Sequence, residues 1–245
     1  MILDKITAMG DHLISVVIPC KNEEGYIGNT LKALRNQTVI TPETPIFIAD
    51  AHSTDKTLEI IQDHAQYLNI KVIDGGIPSV GRNNGARICD SRYILFLDAD
   101  MILNDEFTLE KVIVLAEQQE LDLVTTYIRS LQNTWHDKVL WAAHRFTSRT
   151  KIFGSYAAGM FIFIRREAFL QIGGFNERVC LGEDWELTHQ IPPEKFSVCD
   201  TYIYTSNRRF VKQGYLRTVF QYAMVALSRS YRQKGHEEYF NVTFN

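Results

Sequence analysis

The sequence predicts an α/β fold, a mostly parallel central sheet with helices on both of its faces. Two observations predict it. Short β-branched or apolar runs alternate with segments of helical periodicity through the N-terminal part, and Tyr93-Ile94-Leu95-Phe96-Leu97 is apolar without a break. Strands joined by helical crossovers return in the same direction, and a strand with no polar alternation is one covered on both faces.

Leu13-Ile14-Ser15-Val16-Val17-Ile18 is the first strand, stopped by Pro19, and Ile27, Leu31 and Leu34 then share one helix face. Ile46-Phe47-Ile48-Ala49-Asp50 is the second strand, and Ser53-Thr54-Asp55 offers N-cap candidates for a helix carrying Leu58, Ile61 and Ala65. Ile70-Lys71-Val72-Ile73 is the third strand, and a polar helix around residues 82–87 leads to the fourth at Tyr93. Asp105 to Gln119 reads as a helix and Leu121 to Ile128 as a strand. Farther on, residues 157–164 are strand-like, Gly173-Gly174-Phe175 is a turn, and Glu183-Asp184-Trp185-Glu186-Leu187 starts a short helix. From Gly214, Leu216, Val219, Phe220, Ala223, Met224, Leu227 and Tyr231 keep the spacing of a C-terminal amphipathic helix. The expected division is a domain over residues 1–200 and a helical extension over 201–245 packed on it.

With 245 residues the chain is long enough to bury its own core, and 26 Lys+Arg against 29 Asp+Glu gives a net charge of −3. That balance excludes a dedicated nucleic-acid binder working through bulk positive charge. Cys20, Cys89, Cys180 and Cys199 lie far apart with no C-x-x-C pair, which points to reduced core residues and not to a zinc knuckle. No apolar run reaches the ~18 residues of a spanning helix, and the opening residues lack the pattern of a signal or transit peptide, so a cytoplasmic protein is expected.

In an open parallel sheet, ligand groups gather at the carboxyl ends of the strands. Three acidic places follow apolar runs there: Pro19-Cys20-Lys21-Asn22-Glu23-Glu24, Asp50, and Asp98-Ala99-Asp100. Two carboxylates in an i, i+2 relation leaving a buried strand can share a hard divalent cation that neutralises a diphosphate; a solvated acidic turn is the alternative.

Six segments stand in order: Val16-Val17-Ile18-Pro19-Cys20-Lys21-Asn22-Glu23-Glu24, Asp50-Ala51-His52-Ser53-Thr54-Asp55, Gly81-Arg82-Asn83-Asn84-Gly85-Ala86, Tyr93-Ile94-Leu95-Phe96-Leu97-Asp98-Ala99-Asp100, Gly173-Gly174-Phe175-Asn176-Glu177 and Gly182-Glu183-Asp184-Trp185-Glu186-Leu187. Together they resemble the V-V-I-P-x-x-N-E, D-x-x-S-T-D, A-R-N-x-G, F-L-D-x-D, G-G-F-x-E and E-D-x-E-L elements of the family 2 glycosyltransferases. Those are GT-A-fold enzymes that transfer sugars from nucleotide diphosphates with inversion. The resemblance runs from Ser15 to about His189.

The resemblance puts Pro19, Cys20 and Glu23 against the nucleoside and Asp50 against the base, with Ala51 where many members have a second aspartate. It gives Asp98 to the ribose or a metal-bound water and Asp100 to direct ligation of Mn²⁺ or Mg²⁺, and counts Ala99 with the donor-binding residues. Asp184 matches the base that takes the acceptor proton, ionised at a helix N-terminus, with Glu183 on the acceptor side or positioning the helix. Arg82 and Asn83 open a helix facing the diphosphate, or else Arg82 is a surface residue; Trp185 stacks on a sugar or belongs to the core. Many GT-A enzymes add a late histidine to the metal; Tyr204-Thr205-Ser206-Asn207-Arg208-Arg209 has none, which leaves His189 and His236 as candidates.

The function expected is therefore metal-dependent inverting transfer from a nucleotide sugar, a UDP-sugar leading, to a glycan or lipid-linked acceptor. The alternatives are a GDP-mannose-type transferase to a lipid-linked acceptor and a non-catalytic nucleotide- or glycan-binding subunit. Arg208, Arg209, Lys212, Arg217, Arg229, Arg232 and Lys234 flank the C-terminal apolar stripe, so that helix either approaches anionic lipid or packs on the domain with a solvated basic face.

Overall fold

The computed structural model describes residues 13–220 apart from Phe153, Cys180, Leu216 and Val219. Four parallel strands, β1 (Ile14–Cys20), β2 (Ile46–Asp50), β3 (Ile70–Asp74) and β4 (Tyr93–Leu97), are joined by α1 (Ile27–Arg35), α2 (Thr57–His64) and α3 (Pro78–Ile88). Val16 lies opposite Ile46, Ile46 opposite Ile70, and Ile14 opposite Tyr93. After β4 come β5 (Ile102–Leu103), α4 (Thr108–Gln118), β6 (Leu123–Ser130), α5 (Trp135–Thr150), β7 (Phe161–Arg165), α6 (Arg166–Gln171), α7 (Glu183–Thr188), β8 (Phe196–Thr205) and α8 (Arg208–Gln213). The sheet has eight strands in the order β3-β2-β1-β4-β7-β6-β8-β5.

Helices cover both faces, as expected from the unbroken apolar strands. Val16, Ile18, Ile48 and Leu95 pack with Leu31 and Leu34 of α1 and Val112 and Ile113 of α4 on one face. Val17, Phe47, Ile94 and Phe96 pack with Ala86 of α3, Phe169 of α6 and Leu187 of α7 on the other. Direction changes at β7, which runs antiparallel to both β4 and β6, while β8 returns parallel to β6.

Several boundaries differ from the sequence reading, each for a local reason. β1 continues through Pro19 to Cys20, because the ladder to β4 ends at Val17 and the N–H that Pro19 lacks is not needed on that side. α2 starts at Thr57 because Ser53 bonds to Asp50 instead of capping the helix, while Asp55 Oδ1 accepts from the Thr57 amide at 3.0 Å. β7 starts at Phe161, and residues 157–160 form the loop before it. The division expected after residue 200 falls inside β8, whose ladder with β6 runs to Thr205.

The start of the C-terminal extension packs on α5: Phe210 meets Trp141 edge-on, and the Tyr215 hydroxyl donates to Asp137 Oδ1 at 2.6 Å. Residues 221–245, including His236 and the basic residues Arg229, Arg232 and Lys234, lie outside those described. Cys20, Cys89 and Cys199 are buried free thiols; Cys180 is outside the described residues. Among the described residues no helix is long and apolar enough to cross a membrane.

α5 carries a pH-sensitive, partly buried group. The His144 ring sits between Trp141 and Tyr156, its Nε2 is buried without a partner, and burial pushes its pKa down from 6.5 to about 4. The unfolded chain therefore binds this proton first. Stability from neutral His144 is present above pH 6.5 and lost as pH falls from 6.5 through about 4. The effect is roughly 2–3 kcal/mol. His144→Gln should flatten the pH dependence of urea unfolding in that window; an unchanged slope would show that His144 takes its proton without cost.

Candidate active site

The carboxyl ends of β1, β2 and β4 supply three loops, and α3, α7 and the turn into α8 close around them. Asp50, at the end of β2, is buried, and both of its oxygens accept from Ser53: Oδ2 from the amide at 3.0 Å, Oδ1 from the hydroxyl at 2.5 Å. The Ser53 hydroxyl accepts from the Asn22 amide at 2.9 Å, and Asn22 Oδ1 accepts from the Thr54 amide at 2.8 Å. These bonds fix the loop after β1 against the loop after β2. Cys20 is buried beside Asp50, its thiol pKa pushed up by burial and then by Glu23 and Asp50, and its carbonyl accepts from Ala51. Pro19 is half-buried next to it.

Asp98-Ala99-Asp100 leaves β4 held at its middle residue, because the buried Ala99 carbonyl accepts from the Thr30 hydroxyl of α1 at 2.7 Å. Asp98 turns toward α3. That helix lies directly on β1 because Gly85 has no Cβ, which would collide with the Val17 side chain. One turn earlier Arg82 is thereby brought, 2% exposed, to the end of β4. Its Nη2 lies 2.7 Å from Asp98 Oδ1, its Nη1 lies 2.7 Å from Glu183 Oε1, and Nη2 also donates to the Gly159 carbonyl at 3.2 Å. Burial works against the guanidinium charge, but Asp98 and Glu183 outweigh it and hold the pKa above its ordinary value. α3 begins at Pro78, so Arg82 lies one turn inside the helix and not at its opening. Asn83 faces elsewhere: its amide donates to the Phe175 carbonyl and Glu177, and its Oδ1 accepts from the Phe175 amide, pinning the Gly173-Gly174-Phe175 turn.

Glu183 and Asp184 start α7 after Gly182, which takes the left-handed conformation (φ 78°) that glycine tolerates. Asp184 Oδ2 accepts from the Gly159 amide at 2.7 Å and Oδ1 from the Trp185 amide at 2.7 Å. The expectation that the helix end would favour the ionised form is reversed. Burial raises the Asp184 pKa, Asp98 adds to it, and the amides and Arg82 oppose it only in part. Glu183 is raised as well, by burial first and then by Asp184. Trp185 stacks on His189 at 3.7 Å, and His189 Nδ1 lies 2.9 Å from the Trp185 carbonyl oxygen.

Asp100 turns the other way, to residues far along the chain. The Ser206 hydroxyl donates to its Oδ2 at 3.2 Å, and Arg208 Nε lies 3.7 Å from the same oxygen. Arg208 also donates to Glu23, whose second oxygen is buried without a partner. Burial, then Asp98, leaves Asp100 with a pKa of about 6 although Arg208 opposes the rise, and burial carries Glu23 to about 7 against Arg208. In both carboxylates burial outweighs Arg208, the guanidinium that lies between them. Among the described residues no three His, Cys, Asp or Glu side chains gather closely enough to hold a metal by themselves. A cation bound partly by substrate phosphates needs only one or two carboxylates, the group that Asp98 and Asp100 carry.

The glycosyl transferase family 2 profile matches residues 15–173, well over half the chain. The chain belongs to glycosyl transferase family 2. One relative is the poly(ribitol-phosphate) β-N-acetylglucosaminyltransferase TarS of Staphylococcus aureus, 31% identical over 114 residues that cover 45% of this chain and 20% of TarS. The match thus spans about a fifth of that relative's length. The fold is the GT-A glycosyltransferase fold. The S. aureus TarS 1-349 structure in complex with UDP-GlcNAc aligns with a TM-score of 0.64 at 18% identity, over 94% of this chain and 70% of that one. The mannosyltransferase PcManGT of Pyrobaculum calidifontis, in complex with GDP-Man and Mn²⁺, aligns with a TM-score of 0.69 at 17% identity, over 93% and 66% of the two chains.

In this family 2 chain, three site residues escaped the sequence reading. Gly159 receives Arg82 on its carbonyl and gives its amide to Asp184, a backbone role that leaves no side-chain signature. Ser206 and Arg208 reach Asp100 across 106 and 108 positions, and Arg208 was legible only as one member of a basic run.

Proposed function

We propose that the chain is the transfer unit of an inverting glycosyltransferase that moves a sugar from a nucleoside diphosphate, a UDP-sugar first, to an acceptor hydroxyl of a glycan or glycolipid. The observation that carries it is the meeting of Asp98 with Glu183, and so with the neighbouring Asp184, around the buried cation Arg82. In that arrangement one donor-side carboxylate, Asp98, stands beside the pair that includes the base candidate.

In this reading Asp184 takes the acceptor hydroxyl's proton as the oxygen bonds to the anomeric carbon, and the bond from that carbon to the diphosphate oxygen breaks. The nucleoside diphosphate leaves. A burial-raised pKa makes Asp184 a stronger base than a solvated carboxylate. Gly159 aims it, since its amide holds one carboxylate oxygen in place. Arg82, with both terminal nitrogens taken and its side chain buried, positions Asp98 and Glu183 in place of binding the diphosphate itself. Pro19, Cys20, Glu23, Asp50 and Ala99 serve the nucleoside side in this reading, and Ser53 holds Asp50 in one orientation.

The donor set suits Mn²⁺ or Mg²⁺, with Asp100 and Asp98 as its protein ligands. Such a cation, when bound, supplies Lewis-acid stabilisation of the leaving diphosphate. The TarS complex with UDP-GlcNAc supports a UDP-sugar, while the PcManGT complex with GDP-Man and Mn²⁺ supports a GDP-sugar as second reading and a metal in either. A non-catalytic binding subunit has no use for a partly buried base such as Asp184.

A donor-hydrolysis screen over UDP-, GDP-, dTDP- and CMP-sugars, with and without Mn²⁺, tests the proposal. Release from a UDP-sugar is expected, stimulated by metal and abolished in Asp100→Ala with the fold intact by circular dichroism. No release from any donor would leave the binding-subunit reading. Wild-type activity and Mn²⁺ dependence in Asp100→Ala would remove Asp100 as a ligand.

A further inference from the structure

α5 carries apolar side chains on its outward face as well as on the face that packs on the domain. Its buried face carries Asp137, Trp141 and Ser148, and Trp141 Nε1 and Ser148 Oγ have no hydrogen-bond partner. The outward face carries Trp135, Val139 and Phe146, spaced four and seven apart, which are 68%, 62% and 62% exposed. Ile152, just past the helix, is 64% exposed. A stripe of this kind is what a helix presents to a partner.

Charge says which partner. Lys138 and Arg149 stand exposed along one edge of the stripe, and neither has a carboxylate partner among the described residues. The helix has one carboxylate, Asp137, which is 1% exposed and accepts from Thr134, Asn207 and Tyr215 on its inner side. The outward face is therefore apolar and cationic in a chain whose net charge is −3. Two copies meeting through this face would set like charges against each other, since a two-fold contact pairs a patch with itself.

We infer that α5 is an interfacial helix that docks this chain on an anionic lipid surface, inserting Trp135, Val139, Phe146 and Ile152 while Lys138 and Arg149 meet the headgroups. Tryptophan is suited to that depth, with an apolar ring and one polar edge. The inference is independent of the reading of the transfer site, and it uses a different element from the C-terminal basic segment.

Vesicle sedimentation of the full chain tests it. Binding to phosphatidylglycerol vesicles and none to phosphatidylcholine is expected, with a Trp emission blue shift that Trp135→Phe removes. Lys138→Ser with Arg149→Ser should weaken partitioning roughly thirtyfold at low salt, and high salt should do the same. Val139→Ser with Phe146→Ser should weaken it about tenfold or more. Both pairs should keep wild-type unfolding midpoints and donor hydrolysis. Failure to sediment with anionic vesicles, or wild-type binding by both pairs, overturns the inference. So does a dimer in sedimentation velocity that Val139→Ser with Phe146→Ser abolishes, or a Trp135 shielded from acrylamide in the lipid-free chain, the sign of another segment lying over the stripe.

Discussion

Asp184→Asn is expected to lower glycosyl transfer by about 10² to 10⁴-fold, the scale of removing a general base, with nucleotide affinity nearly unchanged. The amide keeps the shape of the carboxylate and one oxygen for the Gly159 amide, so the loop at 157–160 retains its anchor. What disappears is the proton acceptor. Steady-state kinetics should show the loss in kcat, and calorimetry with UDP should show binding close to wild type. The wild-type rate should also fall on the acid side at a pH above the ordinary aspartate range, because burial raises Asp184. That limb belongs to Asp184 and Glu183 as an interacting pair, since each raises the cost of ionising the other. Simultaneous loss of UDP binding and activity in Asp184→Asn would make the residue structural.

Arg82→Met is expected to destabilise the fold by up to about 3–5 kcal/mol, the cost of leaving the mostly buried Glu183 and the partly exposed Asp98 without their cation. Asp98 and Glu183 each lose a 2.7 Å ion pair, and the Gly159 carbonyl loses its donor. The sign with pH follows. In the variant Glu183, raised by burial even with Arg82 opposing, loses that opposition and rises further above its unfolded value. Its contribution is then fully present below the unfolded value and lost as pH rises through the folded one, so the deficit against wild type shrinks on acidification from pH 7. Urea unfolding at two pH values measures both. Arg82→Lys should recover only part, because an ammonium cannot hold two carboxylates with separate nitrogens of one planar fork. A variant as stable as wild type at pH 7 would show that the bridge holds nothing together.

The parallel half of the sheet was legible because its strands are short, apolar and spaced by helices with one clear face; β2 and β4 fall on the residues expected. α5 was overlooked although Thr134 and Asp137 form a capping box at its start, because Trp135, Val139 and Phe146 point outward and the buried face mixes Trp141 with Asp137 and Ser148. β8 was overlooked in a segment already allotted in part to a C-terminal extension. Its burial alternates through Cys199, Thr201, Ile203 and Thr205, two of them threonines that count as polar in a hydropathy pattern.

By itself, the sequence determined the residue types and the strand ends on which they sit: Asp50, Asp98 and Asp100 follow apolar runs, and a strand that must be covered on both faces leaves its polar groups only at its tip. It also determined Glu183 and Asp184 at a helix start after a glycine. The tertiary structure alone decided who faces whom. Arg82 serves Asp98 and Glu183 from 16 and 101 positions away, and Arg208 serves Asp100 and Glu23 from 108 and 185. The protonation preferences were likewise decided there. A helix N-terminus favours an ionised Asp184, and only the surrounding packing makes desolvation the larger effect, because the free energy of a buried charge depends on everything folded around it and not on its neighbours in the chain.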